Sequence, residues 1–219
     1  MYVNYAKNIY TYNGDDGIIA KLFEDLHITD GIVCEFGAWD GITFSGTAAL
    51  WKDQDFKAVL IESDTGKYIQ LLNNTVGRNT DCYNCGVSKD RGDYYSIDNI
   101  LSRCKYDITS DNFALMIIDI DSYDYYVFES MDTYLPKVCV VEVSSGYQPH
   151  QDHISTDSGC SLKSITELAE KKGYKLVCHS GNAIFVREDL IDKIPEGDYS
   201  VENLWLSPEK LLEKERRLK

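Results

Sequence analysis

The chain has 219 residues, with 22 Lys and Arg against 36 Asp and Glu, a formal net charge of −14, and 43% hydrophobic and 26% charged residues. That length and balance fit one soluble globular domain able to bury a substantial core. The acidic excess argues against a nucleic-acid substrate and against an anionic membrane surface, because both are bound through Lys and Arg patches.

Residues 1–13 are polar and tyrosine-rich (Tyr2, Tyr5, Tyr10, Tyr12), without the basic start and apolar middle of a signal peptide. They read either as a lid over a ligand or as a loose terminus. After a polar turn at Gly14–Gly17, Ile18, Ile19, Leu22, Phe23 and Leu26 recur at helical spacing and predict a helix over 16–27. Ile32–Phe36 is a short apolar run with Glu35 embedded in it, followed by Gly37-Ala38-Trp39-Asp40-Gly41. That order predicts a buried strand, a tight turn and a helix running to about residue 52. A turn of this kind sets backbone N–H groups and a positive helix end against a ligand. It is not a dinucleotide fingerprint, since Trp39 stands where a second glycine must let the backbone approach a pyrophosphate. Glu35 at the strand end suits a cationic or amine-bearing ligand; the alternative is an ordinary turn with an exposed acid.

A second apolar run, Ala58–Glu62, ends in an acid placed to accept hydrogen bonds from a ribose diol. Asp64 or Thr65 caps a helix through about residue 73. A third strand is expected over 81–87, with the turn Gly86-Val87-Ser88 at its end. Ser96 caps a helix to about 104. The unbroken apolar stretch 113–119 predicts a central parallel strand buried on both faces, with Asp119 and Asp121 just beyond it. A helix over 123–131 leads to a strand over 138–143, with Glu142 near its end. Residues 144–161 form a long polar loop holding Tyr147, His150, Asp152 and His153, and loops of that length in compact domains are often functional. A helix over 161–172, stopped by Gly173, precedes two strands, 174–178 and 183–186, close enough to pair. Ser207-Pro208 opens a last helix whose charged end, 213–219, is expected to be solvated.

Strands alternating with helices predict an α/β, Rossmann-like, doubly wound sheet, seven-stranded and mostly parallel, with helices on both faces and ligands outside the carboxyl ends of its strands. Glu35, Asp40, Glu62, Asp119, Asp121 and Glu142 all fall at that edge. The seven cysteines are an odd number and are scattered, several inside apolar runs, which speaks against a disulfide framework and for a reducing, cytoplasmic setting. Cys82-x-x-Cys85 has metal-ligand spacing but no second pair follows it. No apolar run approaches the ~20 residues that span a bilayer.

Taken together, Gly14-Asp15-Asp16-Gly17-Ile18-Ile19, Glu35-Phe36-Gly37-Ala38-Trp39-Asp40-Gly41, Leu60-Ile61-Glu62, Ile118-Asp119-Ile120-Asp121, Gly173-Tyr174 and Gly181-Asn182-Ala183 resemble FkbM-like S-adenosylmethionine (SAM)-dependent methyltransferases of class I. The resemblance implies a methyltransferase domain over residues 14–195, an N-terminal segment 1–13 and a tail 196–219 with a short helix. It implies that the turn at Gly14–Gly17 lies near the cofactor. It also implies SAM as cofactor, held by Glu35, Gly37, Ala38, Asp40, Ser45, Glu62, Ser63, Val87, Ser88 and Asp119. The chain departs from many relatives after Asp119-Ile120-Asp121, where Ser122 and Tyr123 replace a glycine and a glutamate. The acceptor implied is a hydroxyl on a sugar, a glycan or a natural product, for instance a deoxyhexose such as rhamnose. A SAM-fold module that binds a partner without catalysis is the alternative.

Methyl transfer is an in-line displacement at the sulfonium carbon, and the protein must align the acceptor oxygen and take its proton. Asp121, Glu142 and His153 are the candidate bases, with His150 behind them; each histidine also reads as a plain surface-loop residue. Alternatively Asp119, Asp121 and Glu142 supply oxygen ligands to Mg²⁺. The adjacent ligand pair expected after the fifth strand is absent, since Val143-Ser144 follows Glu142, so a metal-free base is favoured.

Overall fold

The structure, a computed structural model, describes residues 1–121 and 123–219. Nine strands are present among these: β1 (Ile32–Phe36), β2 (Lys57–Glu62), β3 (Thr80–Asn84), β4 (Phe113–Ile118), β5 (Val138–Glu142), β6 (Ile154–Ser155), β7 (Gly159–Cys160), β8 (Tyr174–His179) and β9 (Asn182–Arg187). Seven of them build one sheet in the order β3-β2-β1-β4-β5-β9-β8. The first five run parallel, and β9 is antiparallel to both of its neighbours. This is the Rossmann-like, mostly parallel sheet expected. The strand order reverses between β1 and β4, the crevice where such sheets bind ligands.

Eight α-helices are present among the described residues: α1 (Asp15–Leu26), α2 (Ala48–Trp51), α3 (Thr65–Asn74), α4 (Ile97–Ser102), α5 (Asp124–Ser130), α6 (Leu162–Lys171), α7 (Val201–Leu204) and α8 (Pro208–Leu218). Side chains alternate across the pleat. Ile32, Cys34 and Phe36 of β1 join a core with α4, α5 and α6, while Val33 joins the opposite core with α1, α2 and α3. Among the described residues no helix is long and apolar enough to cross a membrane, and all seven cysteines are free thiols.

Four expectations need correction. The helix after β1 is a single turn, α2, because residues 37–47 are held in a loop by side-chain hydrogen bonds. The third strand stops at Asn84, leaving Cys85–Val87 in the loop. The segment 144–161 carries the small hairpin β6-β7. In the charged end, Glu213, Arg216, Arg217 and Lys219 are exposed as expected, but Lys214 is not free: its Nζ donates to the carbonyls of Asn13 (2.6 Å) and Ser180 (2.5 Å), and Leu211 just before is buried. Two 3₁₀ segments, Tyr2–Tyr5 and Glu188–Lys193, and α7 had no clear sequence signal.

The N-terminal segment is packed, not loose. Tyr2 is buried with its hydroxyl donating to Asp25 (2.8 Å), and Asp16 Oδ2 accepts from the amides of Ile9, Tyr10 and Thr11 and from the Thr11 hydroxyl. Gly17 permits this docking: a Cβ there would stand 2.1 Å from the Tyr5 carbonyl oxygen. Asp15 is buried beside it and accepts from Ser180, Asn182 and Asn13. The turn at Gly14–Gly17 thus braces the chain's two ends, and Asp15 does not face the cavity described below.

His179 joins the tail to the rest. Its Nδ1 accepts the Leu206 amide (3.0 Å), and its Nε2 lies 3.0 Å from the Ser145 hydroxyl. Burial, with Lys214 nearby, pushes its pKa down to about 4. A histidine held neutral in the fold and ordinary when unfolded gives stability that is complete above pH 6.5 and lost as pH falls toward 4. Urea unfolding between pH 4 and 8 should therefore show the stability difference between wild type and His179→Asn narrowing by about 3 kcal/mol from pH 7 to pH 4. A difference independent of pH would mean that the imidazole is not held neutral.

Candidate active site

One cavity of about 460 Å³ opens at the carboxyl ends of the parallel strands, at the reversal between β1 and β4. It is built around the loop after β1. Glu35 is buried and its carboxylate is taken up by the protein: Ser45 donates at 2.6 Å, the Gly46 amide at 2.9 Å and Thr47 at 2.5 Å. Burial pushes its pKa up against the pull of these donors. Glu35 therefore folds residues 45–47 back onto the strand end, and a free carboxylate does not point into the crevice. Asp40 organises the same loop, accepting from the amides of Ile42 (2.9 Å) and Thr43 (2.6 Å) and from the Thr43 hydroxyl. At Gly37, with φ of +69°, a Cβ would lie 2.2 Å from the carbonyl oxygen of Asp119; only glycine lets these two strand ends approach so closely. The helix after β1 is reduced to the four residues of α2, none of which lines the cavity.

Glu62 closes the next wall. Its Oε2 accepts the Trp39 amide (2.9 Å) and its Oε1 the Asp64 amide (2.7 Å), and it still lines the cavity beside Ser63. Trp39 adopts a left-handed φ of 48°, which aims its amide back at Glu62 and leaves its ring at the cavity with Lys67 Nζ 4.5 Å from the ring centre. Cys85, Gly86 and Val87 form the adjoining wall.

On the far side Asp119, Asp121 and Glu142 each place a carboxylate oxygen within 4.8 Å of the others, the one such group of three potential metal ligands among the described residues. Asp119 is open to the cavity, yet loss of surrounding water, with Asp124, Glu35 and Asp121 close by, pushes its pKa up to about 7. The same causes, burial first and then Asp119, Asp124 and Asp121, push Glu142 up to about 8. Glu35, Glu62, Asp119, Asp121 and Glu142 thus line a cavity in which Lys67 is the one Lys or Arg among the described lining residues.

Of the residues singled out from the sequence, Glu35, Gly37, Ser45, Glu62, Ser63, Val87, Asp119, Asp121 and Glu142 line this cavity; Ala38, Asp40, Ser88 and His153 do not. Ala38 is buried beneath the loop, its amide donating to Ile61. Asp40 spends its oxygens on its own turn. Ser88 is turned into the 88–96 loop, its amide bonded to Tyr95 and its hydroxyl to the Asp90 amide. His153 stacks on Tyr147 (4.1 Å between ring centres), bonds to Ser158 and faces a separate depression beside α6. Ser122 lies outside the described residues. Sequence reasoning missed Tyr12, Trp39, Phe44, Lys67 and Tyr123 as wall residues. The one available signal was an aromatic, Phe44, inside an otherwise small and polar stretch.

No protein-family model matches the chain, and no curated protein does. Among solved structures it is similar to a TehB-like SAM-dependent methyltransferase from Corynebacterium glutamicum (11% identity, TM-score 0.45, 77% of this chain and 86% of that one). It is also similar to magnesium protoporphyrin IX methyltransferase from Synechocystis, solved with bound SAH (10% identity, TM-score 0.49, 80% and 83%). A third is the fibrillarin pre-rRNA processing protein of Methanococcus jannaschii (16% identity, TM-score 0.47, 73% and 67%). The likeness is one of fold.

Because Glu35 accepts three hydrogen bonds without a cation, its loss should loosen the loop itself. Glu35→Ala should lower stability by about 3 kcal/mol and speed hydrogen exchange at the Gly46 amide. Urea unfolding and amide exchange check both; unchanged protection at Gly46 would remove Glu35 as the anchor.

Proposed function

We propose that this protein is a SAM-dependent O-methyltransferase acting on a sugar or glycan hydroxyl. The observation that carries the reading is the make-up of the cavity: an acid at the end of β2, further acids at the ends of β4 and β5, and a bulky Trp39 where a pyrophosphate would need bare backbone. A phosphate-bearing dinucleotide would meet the acids Glu62, Asp119, Asp121 and Glu142 and one lysine there. SAM, with its sulfonium and ammonium, has the opposite charge to the wall. Glu62 would hold the ribose diol through the lone pairs not used by Trp39 and Asp64, with the adenine toward Val87 and the sulfonium toward Asp119. The similar folds with SAM-dependent activity are compatible with this reading, and the FkbM-like motifs favour a hydroxyl acceptor. Residues 14–195 would form the catalytic unit, with residues 1–13 supplying one wall as a lid through Tyr12 and residues 196–219 bracing the chain's ends.

In the reaction the acceptor oxygen forms a bond to the sulfonium methyl carbon, the carbon–sulfur bond breaks with its electron pair going to sulfur, and S-adenosylhomocysteine leaves. The hydroxyl proton goes to a carboxylate of the far wall. Glu142 fits best, because a base with a pKa near 8 has more affinity for that proton than an ordinary carboxylate. Asp121 is beside it. His153 is withdrawn as a base, since it lies outside the cavity.

The cofactor half is tested by calorimetry. Glu62→Gln keeps size but loses one carboxylate acceptor, and should weaken SAM binding by about 1–3 kcal/mol. Unchanged affinity in a folded variant would remove Glu62 from the site.

The chemical half is tested by pH. A base must be deprotonated, so kcat/KM should rise with pH and level off above about 8, and Glu142→Gln should lose turnover by roughly 10²–10⁴-fold while SAM affinity changes far less. The proximity of Asp119, Asp121 and Glu142 also favours a second reading in which Mg²⁺ binds there and acidifies the hydroxyl. Activity that survives EDTA supports the base alone; activity that EDTA abolishes and Mg²⁺ restores assigns the three as ligands.

A further inference from the structure

Two aromatic rings at the cavity mouth are held where the fold gains little from them. Phe44 is 56% exposed and Tyr12 55% exposed, and both line the cavity. Phe44 also has a φ of +59°, a left-handed backbone that a bulky residue rarely adopts. An exposed apolar ring on a strained backbone persists only when its surroundings impose it, and such residues cluster at ligand-binding sites.

Here the surroundings do impose it. Thr43 before Phe44 is pinned by Asp40, and Ser45 and Gly46 after it by Glu35. On the other side Thr11, next to Tyr12, is pinned by Asp16 through its amide (2.7 Å) and hydroxyl (2.6 Å). The two rings meet edge to face, 5.1 Å apart at 74°. Tyr12 and Phe44 share the cavity lining with Asp119, Asp121 and Glu142, and after burial the charges that most perturb the Tyr12 hydroxyl are those of Asp119 and Glu142.

We propose that Tyr12 and Phe44 form the platform on which the acceptor's pyranose ring rests, with its C–H face on the aromatic pair and its hydroxyls toward Asp121 and Glu142. The inference rests on the methyltransferase reading and names the part of the protein that selects the acceptor. A pyranose has an apolar face and a rim of hydroxyl donors, which matches an aromatic surface that shares its cavity with carboxylates. A planar phenol or base would want a slot between parallel rings, which a perpendicular pair does not open. An anionic acceptor is repelled by the acids. A 6-deoxyhexose carries a methyl in place of the hydroxymethyl on C5, which makes the rim next to the stacked face more apolar.

The test uses the full chain saturated with S-adenosylhomocysteine and titrated by calorimetry and ligand-observed NMR with the methyl glycosides of rhamnose, fucose, glucose and galactose. Wild type should bind at least one of them. Tyr12→Ala and Phe44→Gly should each weaken that sugar by roughly 2- to 12-fold, Phe44→Tyr should retain it, and S-adenosylhomocysteine affinity should stay within about twofold. Glycine is at home at this φ, so Phe44→Gly should keep or exceed the wild-type melting temperature and separates recognition from folding. Unchanged sugar affinity in both variants overturns the proposal. A parallel loss of S-adenosylhomocysteine affinity also overturns it and assigns the rings to the cofactor. Wild type that binds S-adenosylhomocysteine but none of the glycosides overturns the sugar platform alone, whereas wild type that binds no S-adenosylhomocysteine overturns the methyltransferase reading beneath it.

Discussion

The buried carboxylate of Glu35 sets the shape of the site. A carboxylate out of water must be met by donors, and this one is met by two hydroxyls and an amide from a short stretch of chain ten to twelve residues further on. Those residues must therefore turn back over the end of β1, and a helix cannot start until Ala48. The result is a long loop with a hollow beneath it. Gly37 adds the second constraint. Its missing side chain lets the β1 and β4 ends nearly touch, and that fixes where Asp119 and the residues after it emerge.

The acids of the cavity divide into two kinds. Glu35 and Glu62 face donors of the protein itself and hold loops. Asp119 and Glu142 lie near each other at the cavity, and loss of surrounding water, with repulsion among the acids added to it, holds their protons to higher pH than usual. The division explains how so many carboxylates share one edge of a sheet: some are spent on architecture, and the rest form a concentrated negative surface in the same cavity as an aromatic one.

Much of this was legible in the sequence, for identifiable reasons. β4 is an unbroken apolar run and β1 is apolar but for Glu35; both are buried on both faces, and their bounds came within a residue. Asp64 (or Thr65), Ser96 and Ser207 were read as caps; Asp64 and Ser207 each accept the amide three residues on, whereas Ser96 stands at the cap position of α4 without a side-chain hydrogen bond to the helix. The acids at strand ends were placed correctly at the edge because periodicity fixes where a strand stops. What the sequence could not convey was where an acid's oxygens go, since that depends on loop geometry. Glu35 read as a ligand-facing acid and proved to be a loop anchor. His153 read as a base and is turned onto Tyr147, because the β6-β7 hairpin that carries it is a two-residue ladder with no pattern to announce it. Tyr12 was read only as one of four tyrosines in a segment that is either a lid or a loose terminus, and Phe44 went unremarked, because strain and exposure exist only in three dimensions.

The raised carboxylates also tie ligand binding to folding. Asp119 and Glu142 hold protons in the fold at pH values where the unfolded chain has released them, so the empty site loses stability as pH rises from about 4 toward 8 and gains nothing beyond it. A cation in the cavity reverses this, because it favours the charged carboxylates and displaces their protons. Binding a cation is then strongest where the empty site is least stable, and proton release accompanies it. Under the proposed function, a negative cavity of this kind would discriminate between SAM and S-adenosylhomocysteine by charge: the product would have lost the sulfonium charge, the far wall would regain a proton, and the attraction for the cofactor would weaken after transfer.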